Sequence, residues 1–224
     1  FKDRLARFYG TVVNLAIAND WMHKNPFAGI RFQEKEVIRE VLTKEEIERM
    51  MCKEFALPRL EYVRDVFIFC VFTGMAYVDV NNLRQEHIVR DNNDDLWIRK
   101  ARQKTNNMCN IPLLKIPQLL MEKYKNHPLC TKTGALLPVP SNQKMNSYLK
   151  EIADFCGIQK NLTTHTARHT FATVVALANG VSMENIAKML GHSDIRMTQR
   201  YAKVMDSSIM RDMENVDKLF KSSE

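Results

Sequence analysis

Residues 164–201 read THTARHTFATVVALANGVSMENIAKMLGHSDIRMTQRY. Phe171, Val174, Val175 and Ala178 recur at helical spacing, and Asn179-Gly180 supplies a stop, so a helix is expected from Thr164 to that point. His165 and Arg168 lie near its start and, three residues apart, share a face at a helix N-terminus. Free backbone N–H groups and the helix dipole favour an anion there. Ser182 can cap a second helix, Met183 to Leu190, which Gly191 ends, leaving His192 on the turn that follows. Ser193 or Asp194 can cap a third short helix carrying Thr198, Gln199, Arg200 and Tyr201, with Tyr201 nine residues past His192.

This order of residues resembles the tyrosine recombinases, also called phage-type integrases. The family pattern is H-x-x-R, then L-G-H, then a tyrosine about nine residues on. It is met here as His165-Thr-Ala-Arg168, Leu190-Gly191-His192 and Tyr201-Ala202. The resemblance runs from about residue 1 to about residue 205 and looks closest to integrases of Bacteroides-type conjugative transposons and related mobile elements.

The resemblance implies a site-specific recombinase with no metal or other cofactor. A phosphodiester repels nucleophiles and has a poor leaving group, so its cleavage needs charge stabilisation, positioning and proton delivery. Tyr201 would be the nucleophile, forming a 3′-phosphotyrosine bond that stores the energy for resealing. Arg168 would clamp the phosphate with a planar fork, while His165 and His192 would bond the nonbridging oxygens or help move the tyrosine proton. Lys104 would be the acid that protonates the leaving 5′ oxygen, and Asp79 would orient a neighbouring His or Arg. His169 reads as a buried hydrogen-bonding residue. Duplex DNA is the implied partner, with four protomers exchanging strands through a Holliday junction and accessory DNA-bending proteins assisting.

The family pattern has an arginine two residues after Thr73-Gly74, but here Met75 is followed by Ala76, which binds no anion. Arg64 is the proposed substitute. Its neighbours at helical spacing, Leu60, Phe67, Ile68 and Val71, are apolar, and a charge on such a face needs a partner or water. Snorkelling or an ion pair with Glu61 or Asp65 is the competing use of Arg64, and Arg84 a weaker candidate for the same task.

Composition fits this reading without carrying it. The chain has 224 residues, 45% of them hydrophobic, enough for one large domain or for one domain and part of another. Lys and Arg number 33 against 26 Asp and Glu, a net charge of +7 suited to a polyanion. Five scattered cysteines without a C-x-x-C pair argue against a disulfide framework or a zinc ribbon and point to reduced thiols in a cytoplasm. Neither a membrane span nor a signal peptide is legible, and the start at Phe1 suggests a fragment lacking an N-terminal portion.

The expected fold is mainly α-helical with a small antiparallel β-sheet, the tyrosine recombinase catalytic domain. Residues 1–37 would hold the last part of a helical core-binding domain, closed by Asn25-Pro26-Phe27, and a charged linker from Arg31 to Glu40. Residues 38–224 would be the catalytic domain, opening on a Thr43/Glu46 capping box. Helices are expected from Leu60 to Phe72, Tyr77 to Leu83, Ile116 to Lys125 and Asn142 to Cys156, and strands at Leu96–Ile98 and Asn110–Pro112. A last helix, 207–221, has Ile209, Met213, Val216 and Phe220 on one side; the resemblance implies that it docks on a neighbouring protomer, and docking on its own core is the alternative.

Two other functions compete. His165, His169 and His192 could share a metal, but Arg168 would repel the cation and no Glu-containing zinc-hydrolase motif is present. The second is a DNA-binding protein of the same fold without strand transfer.

Overall fold

The chain divides into two units, residues 1–38 and 39–224. The computed structural model describes residues 2–28 and 40–202. The first unit holds helix α1 (Lys2–Ala18), followed by a turn in which the Asn25 side chain accepts from the Phe27 amide at 2.8 Å. The linker and the last helix expected from sequence lie outside the described residues.

In the second unit α2 (Lys44–Cys52) begins with the expected capping box, the Thr43 hydroxyl and the Glu46 carboxylate each accepting from the other residue's backbone N–H. Next comes α3 (Pro58–Thr73), begun by a proline at its first turn and ended by Gly74 in the left-handed conformation. Because α3 is apolar nearly all round, it is buried on nearly all sides, with Phe67, Phe69, Val66 and Val71 fully covered. Each such side chain contributes about 1.5–3 kcal/mol of burial free energy. Helix α4 (Tyr77–Asn81) follows, then three strands, β1 (Ile88–Arg90), β2 (Leu96–Ala101) and β3 (Met108–Pro112), in an antiparallel sheet of order β1-β2-β3. Ile98 pairs with Ile88 on one side and Ile111 on the other, which seats an apolar row on the core face.

Helices α5 (Lys115–Tyr124), α6 (Pro128–Thr133) and α7 (Asn142–Phe155) lead to α8 (Thr164–Thr170), and α3 packs against α2, α5, α7 and α8. The long helix expected after Thr164 is present, but it passes into a π-helical turn, Phe171–Ala176, and a 3₁₀ turn, Leu177–Asn179. Thr170 and Thr173 donate their hydroxyls to the carbonyls of Thr166 and His169 at 2.8 Å, competing with the regular ladder there. Helix α9 (Met183–Leu190) starts at the Ser182 cap and stops at Gly191, and α10 (Arg196–Ala202) carries Tyr201. Asp194 meets the first turn of α10, accepting from the Arg196 amide at 2.8 Å. Phe171, Ala172, Ala176, Ile186 and Leu190 form a second apolar cluster, and Tyr201 packs against it.

Strand β1 and helix α6 escape the sequence reading. Three residues of Ile-Val-Arg are too few for a period to register, and α6 is one short turn after Pro128.

Candidate active site

Arg168 sits on α8 with its side chain turned inward, 6% exposed. Its Nη1 donates to the Gly74 carbonyl at 2.7 Å and its Nη2 to the Leu190 carbonyl at 2.6 Å, so the guanidinium bridges the ends of α3 and α9. Gly74 is required there. With φ of +67°, a Cβ at this position would press on the Phe171 ring and come within 2.7 Å of Leu190 Cδ2. Burial, and then the nearby charge of Arg102, lower the Arg168 pKa to about 10, which leaves it charged at neutral pH.

His192 follows Gly191, whose own φ is +60°. Its Nε2 lies 3.2 Å from Arg168 Nη2, and its Nδ1 lies 2.8 Å from the Thr198 hydroxyl. A guanidinium can only donate, so Nε2 accepts and Nδ1 carries the proton toward Thr198. Burial first, then the charges of Arg168 and Arg102, lower the His192 pKa to about 4. The ring is therefore neutral at pH 7.

Tyr201 stands over this pair. Its ring centroid is 6.4 Å from that of His192, the planes within 10° of parallel, and 5.5 Å from that of His169. His165 is exposed, with its ring stacked at 6.3 Å on His169. His165 and Arg168 thus diverge from the common N-terminal face expected of them, one outward and one into the core.

Asp79 is buried on α4. One oxygen accepts from the Gln103 amide at 2.9 Å and the other lies 3.8 Å from Arg102 Nε. This ties the β2–β3 turn to α4. Asn107 Nδ2 ties the same turn to the Gly191 carbonyl at 3.2 Å. Lys104 is exposed in that turn.

Arg64 requires a correction: its guanidinium is spent elsewhere. Nη1 donates to the carbonyls of Met50, Met51 and Lys53 at 3.0, 3.0 and 2.8 Å, closing the C-terminus of α2. Nε is paired with Asp65, whose other oxygen accepts from Tyr124 at 2.6 Å and Lys123 at 2.7 Å. The ion pair with Asp65 wins because free helix carbonyls and a buried carboxylate both need a donor at that place. Arg84 is likewise engaged with the carbonyls of Asn81 and Leu83, each at 3.0 Å.

Sequence reasoning missed Thr198, which holds the second nitrogen of His192, and the closeness of His169 to Tyr201. It also missed Arg102. A signal existed for the last, since Ile98, Lys100 and Arg102 alternate along the core-facing side of β2 and just past its end. Among the described residues, no three of His, Cys, Asp or Glu are grouped as metal ligands, so the shared-metal arrangement of His165, His169 and His192 has no geometric support.

The phage integrase family model matches residues 40–208, and the chain belongs to that family. The tyrosine recombinase XerD of Staphylococcus saprophyticus is 40% identical over 95 residues, which are 42% of this chain and 31% of that protein. XerD of Staphylococcus aureus is 42% identical over 71 residues, or 32% of this chain and 24% of the relative. The match thus spans less than a third of the length of these relatives. A lambda integrase dimer bound to a core site has a TM-score of 0.64 at 18% identity, covering 84% of this chain and 68% of its own. A Tn1549 transposon integrase in complex with transposon right end DNA has a TM-score of 0.61 at 18% identity, covering 92% and 76%. These likenesses concern the fold.

Proposed function

We propose that the chain cleaves and rejoins duplex DNA as a site-specific recombinase, with residues 38–224 as its catalytic domain and residues 1–37 as the end of a core-binding domain and a linker. One observation carries the reading: the Tyr201 ring lies parallel to a neutral His192 that is itself hydrogen-bonded to the buried cation Arg168. A nucleophile, the group that holds the clamp and the anion clamp itself are thereby in sequence.

In this reading Arg168 draws charge from the nonbridging oxygens as Tyr201 Oη attacks phosphorus. The phenolic proton passes to His165, whose ring is exposed, while His192, bonded to Arg168 and Thr198, holds the clamp in place. The bond from phosphorus to the 5′ oxygen breaks, and Lys104 delivers a proton to that oxygen. The 3′ phosphate stays on Tyr201 until a 5′-hydroxyl attacks it and restores the phenol. Asp79 holds the turn that carries Lys104 near the site. The chemistry draws on these side chains alone, without a metal or nucleotide.

Assembly of four protomers on two DNA sites, accessory bending proteins and a cytoplasmic setting belong to the same proposal. So does service to a mobile element, with the Bacteroides-type conjugative transposons as the nearest kind. The Tn1549 transposon integrase, whose match covers 92% of this chain, supports service to a mobile element. The rival, a DNA binder without strand transfer, is favoured by Ala76, which stands where the family has its first arginine. A nicked suicide substrate separates the two. Protein that stays attached to labelled DNA after denaturation supports the recombinase, and a gel shift without attachment supports the binder.

A further inference from the structure

We propose that Arg102 is the second phosphate-binding cation of the site and replaces the arginine missing at Ala76; this rests on the recombinase reading. Arg102 follows β2 at the start of the hairpin turn, where its backbone N–H donates to Asn107 O and its carbonyl accepts from the Asn106 amide, both at 2.9 Å. The side chain runs inward and is 11% exposed. It lines a small cleft together with Met75, Asp79, Lys100, Arg168 and Met189, so from the end of β2 it shares a cleft with Met75, the residue before Ala76.

Its bonding is that of a group awaiting an anion. Nε is buried without a hydrogen-bond acceptor among the described residues, and the nearest carboxylate oxygen, Asp79 Oδ2, is 3.8 Å away. Nη1 reaches the Gly191 carbonyl only at 3.5 Å. Arg64, by contrast, fills its donors with carbonyls within 3.0 Å and a paired carboxylate. A buried guanidinium held this loosely costs free energy until an acceptor arrives.

Charge points the same way. Arg168 and Arg102 crowd the cleft closely enough for each to lower the pKa of His192, and Asp79 is the acid that faces them. Lys100 lines the same cleft, with its Nζ 3.1 Å from His87 Nε2. With Arg168, Arg102 and Lys100 against Asp79, the cleft keeps an excess of positive charge that a phosphodiester would reduce. Gly191 makes room for it. A Cβ there would come within 2.6 Å of Arg102 Cδ, so the L-G-H glycine admits the Arg102 stem beside His192.

The test compares the full chain with its Arg102→Ala and Arg102→Lys variants on suicide substrates bearing either a phosphate or an uncharged methylphosphonate at the scissile position. Arg102→Ala should bind DNA within a few-fold of the parent and cleave the phosphate substrate about 100-fold more slowly, the loss typical of one transition-state donor. On the methylphosphonate, with less charge to neutralise, the deficit should shrink below about 10-fold. Adding Ala76→Arg to Arg102→Ala should recover part of the phosphate activity. Cleavage within about threefold of the parent, or an equal deficit on both substrates, overturns the assignment. If Arg102→Ala loses its thermal transition, Arg102→Lys is read by the same comparison of the two substrates. A parent that never attaches to either substrate rejects the recombinase reading itself, whereas an active parent with an equally active Arg102→Ala rejects this inference alone.

Discussion

Arg168 and Arg102 reach successive backbone carbonyls, those of Leu190 at 2.6 Å and Gly191 at 3.5 Å, so both arginines hang on the turn that presents His192. The turn is a scaffold for charge: α9 ends there, its last carbonyls meet the two guanidiniums, and the histidine that follows is held neutral by burial first and then by the two cations. Each element around it can be tested separately.

Arg168→Lys is expected to reduce covalent attachment to DNA by about 100-fold or more, because an ammonium cannot span the Gly74 and Leu190 carbonyls and a phosphate together. DNA binding, measured by gel shift, should fall only a few-fold. Near-normal cleavage by the lysine variant would remove Arg168 from the phosphate clamp.

Gly74→Ala should destabilise the protein by about 1–3 kcal/mol in urea unfolding, through a forced left-handed alanine and overpacking against Phe171 and Leu190. Cleavage should fall further than stability explains, since the Gly74 carbonyl positions Arg168. An alanine variant as stable as the parent would contradict the close approach of α3 to this wall.

Arg64→Met should leave the α2 carbonyls without their side-chain donor and Asp65 with only Lys123 and Tyr124, and cost about 1–3 kcal/mol, the scale for buried acceptors left unsatisfied. Protein that remains folded under native conditions should still cleave at close to the parent rate. A folded variant with a 100-fold slower cleavage would return Arg64 to the active site.

The contrast between Arg64 and Arg102 shows how far sequence reasoning reached. The capping box at Thr43, the stop at Gly191 and the antiparallel sheet follow local rules of capping and periodicity, and the structure keeps them. The family motifs also put Tyr201, His192 and Arg168 in one place. Which arginine serves the site was not legible, because it depends on contacts across 84 to 94 residues of chain, such as Asn107 with Gly191 and Arg168 with Gly74. An apolar face around Arg64 said only that the charge needed a partner. The partner was the nearest helix end.

His192 should stay neutral in DNA-free protein at about pH 5.5, where an ordinary histidine is mostly charged. Its folded pKa, about 4, lies below the unfolded value of 6.5, so the unfolded chain binds the proton first and stability declines as pH falls from about 6.5 toward about 4. Ring NMR shifts of His192 across that range check the sign. A ring already protonated near pH 6 would contradict the double-arginine environment.

The most direct test of the central claim is the site of covalent attachment. Protein trapped on a suicide substrate is digested, and the peptide carrying the nucleotide is sequenced by mass spectrometry. The account predicts a 3′-phosphate ester on Tyr201 and no covalent product from Tyr201→Phe, with DNA binding by that variant nearly unchanged. Attachment to any other residue, or substantial covalent product from Tyr201→Phe, would contradict it.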